Sequence, residues 1–317
     1  MRLWQRSMIA LARNETIKSF MQRRTSMTSL ARNFVGGLTI QQAIKTSIQL
    51  DNRSIKTSFF YLGEYVKDES KIEETIQEII NIPKALLETD LEIFISVDPT
   101  QIGYLVNHEV LNRNLNMISY TIKEIIKDRK GSKYTLMLDM EDHTLVDVTI
   151  QLYDKLVKKK YNPAITLQAY LKRTENDLIS IIDNGGKVRL VKGAFVAGPD
   201  ISFVHKDEIK RNFIKLSKLM LSYNAKEKGF YPIFATHDDK LIEEIISFAE
   251  KRRWNKDEYE FEMLYGVRKN YQEDLAERGY RIRAYLPFGE DWWPYAIRRV
   301  GENPGNISLL FKALLLK

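Results

Sequence analysis

Eight short apolar runs, each followed by a longer stretch, repeat along this chain from Thr57 to the C-terminal region. The runs are Thr57–Leu62, Glu92–Val97, Tyr134–Met140, Ala164–Ala169, Lys187–Lys192, Tyr231–Thr236, Glu258–Leu264 and Arg281–Leu286. Amphipathic stretches such as Lys71–Leu87, Leu145–Lys159, Asp207–Lys226, Lys240–Arg252 and Tyr271–Glu277 lie between them. Such alternation implies parallel strands joined by helical crossovers. Eight units predict an α/β fold closed into a (β/α)8 TIM-like barrel. A doubly wound sheet is the alternative, but its dinucleotide-binding form carries a Gly-rich fingerprint after an early strand. Here Gly185-Gly186 precedes a strand instead. The 317 residues accommodate a barrel of about 250 residues and an extension.

The extension has its own character. Before Asp51 the only acid is Glu15, against Arg2, Arg6, Arg13, Lys18, Arg23, Arg24, Arg32 and Lys45. An acid-poor, basic start resembles a transit peptide. Ile17, Phe20, Met21, Met27, Leu30 and Phe34 roughly keep helical spacing, which favours accessory N-terminal helices. Gly36-Gly37 then divides a helical extension, residues 1–37, from a catalytic barrel, residues 38–317. The chain has no cysteine, which excludes disulfides, thiolate metal sites and cysteine nucleophiles. The net charge of +7 admits anionic partners without choosing one. Nucleic-acid binding has no motif beyond that charge.

Barrel chemistry sits at the carboxyl ends of the strands. Read in order, those ends offer Glu64, Asp98, Asp139, Gln168, Arg189 with Lys192, His237, Glu262 and Tyr285. Helix caps account for some of these; a polar group at every end points to an enzyme. In Asp139-Met-Glu-Asp-His143, Asp139 and Glu141 are two apart on a strand and so share a face, whereas Asp142 and His143 begin the next helix, with Asp142 as its cap. A metal-dependent lyase using Asp139, Glu141 and His237 is one rival, yet His108, His143, His205 and His237 lack paired ligand spacing, so no metal is expected. A non-catalytic binding module is the other. Gln168 can both donate and accept, which suits a heterocycle edge, or it is an ordinary buried amide. Arg189 and Lys192 beside Gly193 suit a phosphate or an electron-poor ring, or pair with nearby acids.

Near the C-terminus, Pro287 and Gly289 break the last strand, and Glu290-Asp291 open a helix bearing Arg298 and Arg299 one turn after Tyr295. Adjacent guanidiniums repel, so an anion held between them gains bidentate hydrogen bonds. A solvated basic face is the competing reading. Tyr285, Tyr295 and Glu302 gathered around the pair favour a carboxylate clamp. Trp292-Trp293 reads as helix packing.

Together, Asp139-Met-Glu-Asp142, Leu167-Gln-Ala-Tyr-Leu171, Arg189-Leu-Val-Lys-Gly-Ala194, Phe234-Ala-Thr-His237, Met263-Leu-Tyr-Gly266 and Arg281 through Asn306 resemble the proline dehydrogenase family, of the monofunctional bacterial type. The resemblance runs from about Thr57 to the C-terminus. It implies a distorted (β/α)8 barrel, bound FAD, and oxidation of proline or a related cyclic imino acid by hydride transfer to flavin N5. It places Gln168 and Arg189 by the flavin ring, and Lys192, Gly193, Thr236 and His237 by its ribityl and phosphate portion. Arg298 and Arg299 would grip the substrate carboxylate. Tyr285, Tyr295 and Ala194 would shape the pocket, with Asp139 and Glu302 orienting the cations. It implies a quinone or other electron acceptor and a cytoplasmic protein in peripheral membrane contact, or a mitochondrial one if the basic start is cleaved. Two departures stand out. Ser96-Val-Asp-Pro-Thr-Gln101 puts Asp98 where the family has lysine, and Phe195 replaces a tyrosine. The charge reversal predicts an altered substrate, because close charges at an effective dielectric near 20 interact by ~4 kcal/mol.

Overall fold

The computed structural model describes residues 33–63, 66–127 and 134–302. Helix α1 (Ile40–Asp51) leads into β1 (Ile55–Tyr61), then α2 (Glu69–Leu86), β2 (Ile93–Val97), α3 (His108–Ile126) and β3 (Tyr134–Leu138). A 3-10 turn (His143–Leu145) precedes α4 (Val146–Lys158), β4 (Pro163–Gln168), α5 (Thr174–Asp183) and β5 (Lys187–Val191). The chain continues through α6 (Lys206–Met220), α7 (Tyr223–Glu227), β6 (Tyr231–Ala235), α8 (Asp239–Lys251), β7 (Glu260–Leu264), α9 (Lys269–Glu277), β8 (Arg281–Phe288) and α10 (Trp292–Glu302). All eight strands pair in parallel in chain order, and β8 pairs with β1 from Ile55↔Ile282 to Tyr61↔Phe288, closing the barrel. Residues 1–32 of the N-terminal extension, Glu64, and the end of the final motif beyond Glu302 lie outside the described residues.

Local chemistry explains the elements. Strands β2, β3 and β4 are buried along their whole length, as strands covered on both faces must be. Helix α8 turns Leu241, Ile242, Ile245, Ile246 and Ala249 to the barrel, a helical stripe. Asp68, Asn107 and Asp238 cap α2, α3 and α8 through side-chain oxygens that accept backbone N–H groups otherwise left unpaired.

Two expectations need correction. The stretch Asp207–Lys226 is two helices, because Ser222 takes an extended conformation and accepts the Ala225 amide at 3.2 Å, restarting the turn as α7. Strand β8 also runs past Pro287 to Phe288. The β7 ladder ends where the Tyr265 amide donates to the Tyr285 carbonyl. Pro287, two residues on, points to the same side, where its carbonyl accepts from Gly36. The amide that proline lacks therefore falls beyond the end of β7, where no ladder bond is lost.

The helix following the last strand does not close the outer ring. The outer faces of β1 and β8 are covered instead by α1, which buries Ile40, Ala43 and Ser47 and hydrogen-bonds Ser47 to Thr57. Helix α10 lies at the carboxyl ends of the strands, where Tyr295 and Arg299 act electrostatically on Tyr285 and His237.

Inside the barrel, where bulky branched residues usually dominate, one apolar layer is small: Phe94, Met137, Ala164 and Ile233, with Tyr231 against it. Toward the amino ends, Arg283 donates to Glu260 at 2.7 and 3.0 Å, to Glu92 at 2.8 Å and to the Thr57 carbonyl at 2.8 Å. Its guanidinium lies 4.2 Å over the Phe94 ring. Arg281 joins the same two carboxylates. Burial opposes the charge on Glu260, but Arg283 and Arg281 outweigh it and bring its pKa down to about 2.

Gly266 fills the third position of a turn in which the Val267 amide donates to the Leu264 carbonyl, and its φ of +82° suits glycine. A Cβ there would overlap the Asn33 carbonyl oxygen. Gly266→Ala should therefore lower the unfolding free energy by about 2 kcal/mol or more, read as a lower urea midpoint at unchanged slope. Gly229, at φ +70° with open space around it, isolates the backbone contribution. Gly229→Ala should cost less, about 1 kcal/mol.

Candidate active site

Arg189 stands in the middle of β5 and Glu262 in the middle of β7, so both side chains fill the barrel interior below the lip where they were expected. Arg189 Nε and Nη2 form a fork on Glu262 at 2.6 and 2.8 Å. Nη2 also donates to Ser96 Oγ at 3.2 Å, and Nη1 reaches Asp139 and, at 3.5 Å, Thr166. Glu262 accepts a further hydrogen bond from Ser58 Oγ at 2.5 Å. Burial works against the guanidinium's charge, but Glu262 and Asp139 more than restore it, so Arg189 titrates above its ordinary range. Burial pushes the Glu262 carboxyl up, and Arg189 with Ser58 opposes that rise.

From Asp139, just past β3, the network continues upward. Tyr285 donates to Asp139 Oδ2 at 2.9 Å, and Thr166 to Oδ1 at 3.1 Å. The Tyr285 ring stacks on Phe60 and lies 5.2 Å from the Arg189 guanidinium. Burial, then the charges of Asp139 and Asp98, raise its phenol pKa well above the usual value, so the hydroxyl is a fixed neutral donor. Asp98 is buried just past β2, within electrostatic reach of that phenol. On α10, Trp292, Trp293 and Tyr295 are buried, Arg298 and Arg299 are half-buried, and the Arg299 guanidinium lies 5.1 Å from the Tyr295 ring. Glu302 ends α10, and its side chain lies outside the described residues.

A second group lies past β4, β5 and β6. The Gln168 amide nitrogen donates to the Met140 and Glu141 carbonyls, both at 2.9 Å, while its buried Oε1 has no partner. Gly193 has φ +94°, and a Cβ would overlap the Tyr170 ring. Ala194 is exposed and Phe195 half-buried. Lys192 pairs with Asp238 at 3.1 Å, and Thr236 is buried beside them. His237 Nε2 accepts the Leu264 amide at 3.0 Å, so its proton sits on Nδ1. Burial, then the charges of Arg299, Lys192 and Arg268, bring the imidazole down to about 4.

The carboxylates of the rival metal reading diverge. Asp139 turns to Arg189, whereas Glu141 lies past the end of β3 and binds the Thr100 amide and hydroxyl at 2.9 and 2.6 Å. The strand ends at Leu138, so the two carboxylates do not share a face. Asp142 caps the 3-10 turn as expected. Among the described residues, no group of three His, Asp or Glu could hold a metal ion.

A family model described as proline dehydrogenase matches residues 43–311. The chain belongs to the proline dehydrogenase family. It is accordingly a flavin-dependent oxidoreductase. It is 30% identical to proline dehydrogenase 2 of Bacillus subtilis over 94% of this chain and 97% of that one. It is also 30% identical to the proline dehydrogenase of Deinococcus radiodurans over 99% and 98%. A crystal structure of proline utilization A from Bdellovibrio bacteriovorus, inactivated by N-propargylglycine, superposes with a TM-score of 0.76 at 22% identity. The match covers 90% of this chain but 35% of that one, so the likeness there is of fold over about a third of a longer protein.

Sequence reasoning gave no role to Ser58, Thr166 or Tyr170, nor to Glu262 beyond its place on a strand. It also missed the Arg283–Glu260–Glu92 group. A signal was present: Glu260 and Glu262 alternate along β7, as do Arg281 and Arg283 along the neighbouring β8. Opposite charges at period two on paired strands pack on one face.

His237 carries a stability prediction. The unfolded imidazole takes its proton near pH 6.5, before the folded one at about 4, so acid favours unfolding within that window. The His237 contribution to stability should fall by roughly 3 kcal/mol between those pH values and then level off, while carboxylates such as Glu260, held low by their arginines, lose theirs at lower pH. Urea unfolding measured from pH 7 to 4 checks this, and His237→Gln should lack that portion of the slope.

Proposed function

We propose that this enzyme oxidises proline or a closely related cyclic imino acid to the cyclic imine, with FAD as its flavin. One observation carries the reading: the buried run Glu262–Arg189–Asp139–Tyr285 ends within electrostatic reach of a helix bearing two adjacent arginines. Arg298 and Arg299 hold the substrate carboxylate as paired forks. Tyr285, Tyr295 and Ala194 bound the ring, and Glu302 orients the arginines. Asp139 keeps the Tyr285 hydroxyl pointing away from bulk water. Arg189, held by Glu262 and Asp139, would lie with Gln168 beside the flavin ring.

The cofactor face fits a flavin. Gln168 offers a buried carbonyl oxygen with no protein partner, which suits a ring N–H. Lys192, Gly193, Thr236 and His237 would hold its ribityl chain and phosphates. His237, neutral at physiological pH, contributes an Nδ1–H rather than a charge. When bound, FAD supplies the hydride acceptor at N5. The protein's contribution is orientation and electrostatics. A quinone or other acceptor takes the electrons onward. No helix among the described residues is long and apolar enough to cross a membrane.

Asp98 sets preference. A carboxylate near the substrate's acid group disfavours a plain zwitterion and favours a substituted imino acid or one bearing an additional cation. The purified protein should show flavin absorption bands that an imino acid bleaches without oxygen; a colourless protein would contradict the reading. Arg298→Ala or Arg299→Ala should raise KM by about 100-fold with the flavin spectrum retained. In steady-state assays across proline, hydroxyproline, pipecolate and N-substituted prolines, Asp98→Asn should improve KM for L-proline by about tenfold relative to the others. Ordinary preference for L-proline in the unmodified enzyme would remove Asp98 from this role.

A further inference from the structure

Four strands begin with residues that meet at the amino ends of the barrel: Lys187 on β5, Tyr231 on β6, Glu260 on β7 and Arg281 on β8. Lys187 stands beside Tyr231 in register, and Glu260 beside Arg281. Tyr231 donates to Glu260 Oε2 at 3.2 Å, and Arg281 Nε donates to the same oxygen at 3.0 Å. With Arg283 and Glu92 added, this base of the barrel holds three cations and two carboxylates. One positive charge has no counterpart.

The surplus falls on Lys187. Both guanidiniums hold Glu260 and Glu92. The Lys187 ammonium makes a single hydrogen bond, to Thr135 Oγ1 at 2.7 Å, and lies 5.5 Å over the Tyr231 ring. Among the described residues no carboxylate forms an ion pair with it. The residue is half-buried at the rim. On the α4 side, Tyr153 accepts the Lys187 backbone amide, and its own phenol, pushed up to about 12 by burial, stays neutral. An ammonium drawn out of water, flanked by like charges and held by one hydroxyl gives up its proton readily. Burial, then Arg283 and Arg281, outweigh Glu260 and Glu92 and bring it down to about 8. Neutral amines of this kind are nucleophiles at ordinary pH.

We propose that Lys187 is a modification site that accepts the acyl group of a small acyl phosphate. The amine nitrogen attacks the carbonyl carbon, the acyl C–O bond breaks, and phosphate leaves with that electron pair. The amine's proton passes to water, and the product is an amide. Arg281 selects the donor. Its side chain is 33% exposed, and its Nη1 makes no hydrogen bond among the described residues, so it can meet the phosphate near the amine. Acylation leaves two guanidiniums facing two carboxylates, and the base of the barrel becomes neutral. The site lies at the opposite end of the barrel from the flavin and is independent of that reading.

The test treats the purified full chain with acetyl phosphate at low conversion, from about pH 6.5 to 9.5, and quantifies acetylation of Lys187 by mass spectrometry. The reference is the same chain unfolded in guanidinium chloride. At pH 7.5 an amine titrating near 8 is neutral about 200 times more often than an ordinary lysine. Lower basicity weakens the attacking nitrogen, so Lys187 should react about tenfold faster folded than unfolded. In the folded chain its rate should level off above about pH 8, whereas the unfolded chain's keeps rising. Inorganic phosphate in excess, at matched ionic strength, should slow Lys187 in the folded chain alone. A folded rate no higher than the unfolded one, or one that climbs through the whole pH range, overturns the proposal. Indifference to inorganic phosphate overturns the assignment of acyl phosphate as donor.

Discussion

The pairing of charges inside a closed ring of strands is the constraint from which the rest of this structure follows. Arg189 and Arg283 are each almost wholly excluded from solvent, and each is surrounded by carboxylates and hydroxyls from several strands. A lone buried charge is too costly to keep, and removing one partner of such a pair typically costs ~3–5 kcal/mol. The strands must therefore close in a register that brings β5 to β7 and β3, and β8 to β7 and the segment before β2. Hydrophobic burial drives the outer layer between strands and helices. The inner apolar layer is too thin to specify that register alone.

The same arrangement separates support from chemistry. The charges at the amino ends form a base tied to backbone and to one another. Those above it form a ladder from Glu262 and Arg189 at mid-strand through Asp139 to the Tyr285 hydroxyl. Because α1 covers the outside of β8 and β1, the helix after β8 is released from the ring and brings Tyr295 and Arg299 to the strand ends. A helix in the outer ring could not act on His237 past β6 and on the inward-facing Tyr285 of β8. The extra helix ahead of the first strand is thus part of how the site is built.

The fold was largely legible before any coordinates. Apolar runs alternating with amphipathic ones locate the strands to within a residue or two, because strands buried on both faces leave unbroken hydrophobic sequence. The break at Pro287 misled because proline's missing amide matters only where a ladder partner exists, and β7 has already ended there. The continuous helix expected across Asp207–Lys226 failed for a related reason. Periodicity persists through Leu221 and Ser222, but a serine hydroxyl can take over a backbone bond locally.

By itself, the sequence determined the (β/α)8 architecture, the order of the polar groups at the strand ends, and the adjacent arginines on the final helix. These are local or periodic properties, and local chemistry settles them. Only the tertiary structure decided which carboxylate meets which guanidinium. Asp139 and Glu141 are two residues apart, yet one turns into the barrel and the other to Thr100. Glu262 and Arg189, 73 residues apart, share a fork. Barrel closure makes partners of residues that no sequence spacing relates, because the strands that carry them meet only once the ring is complete.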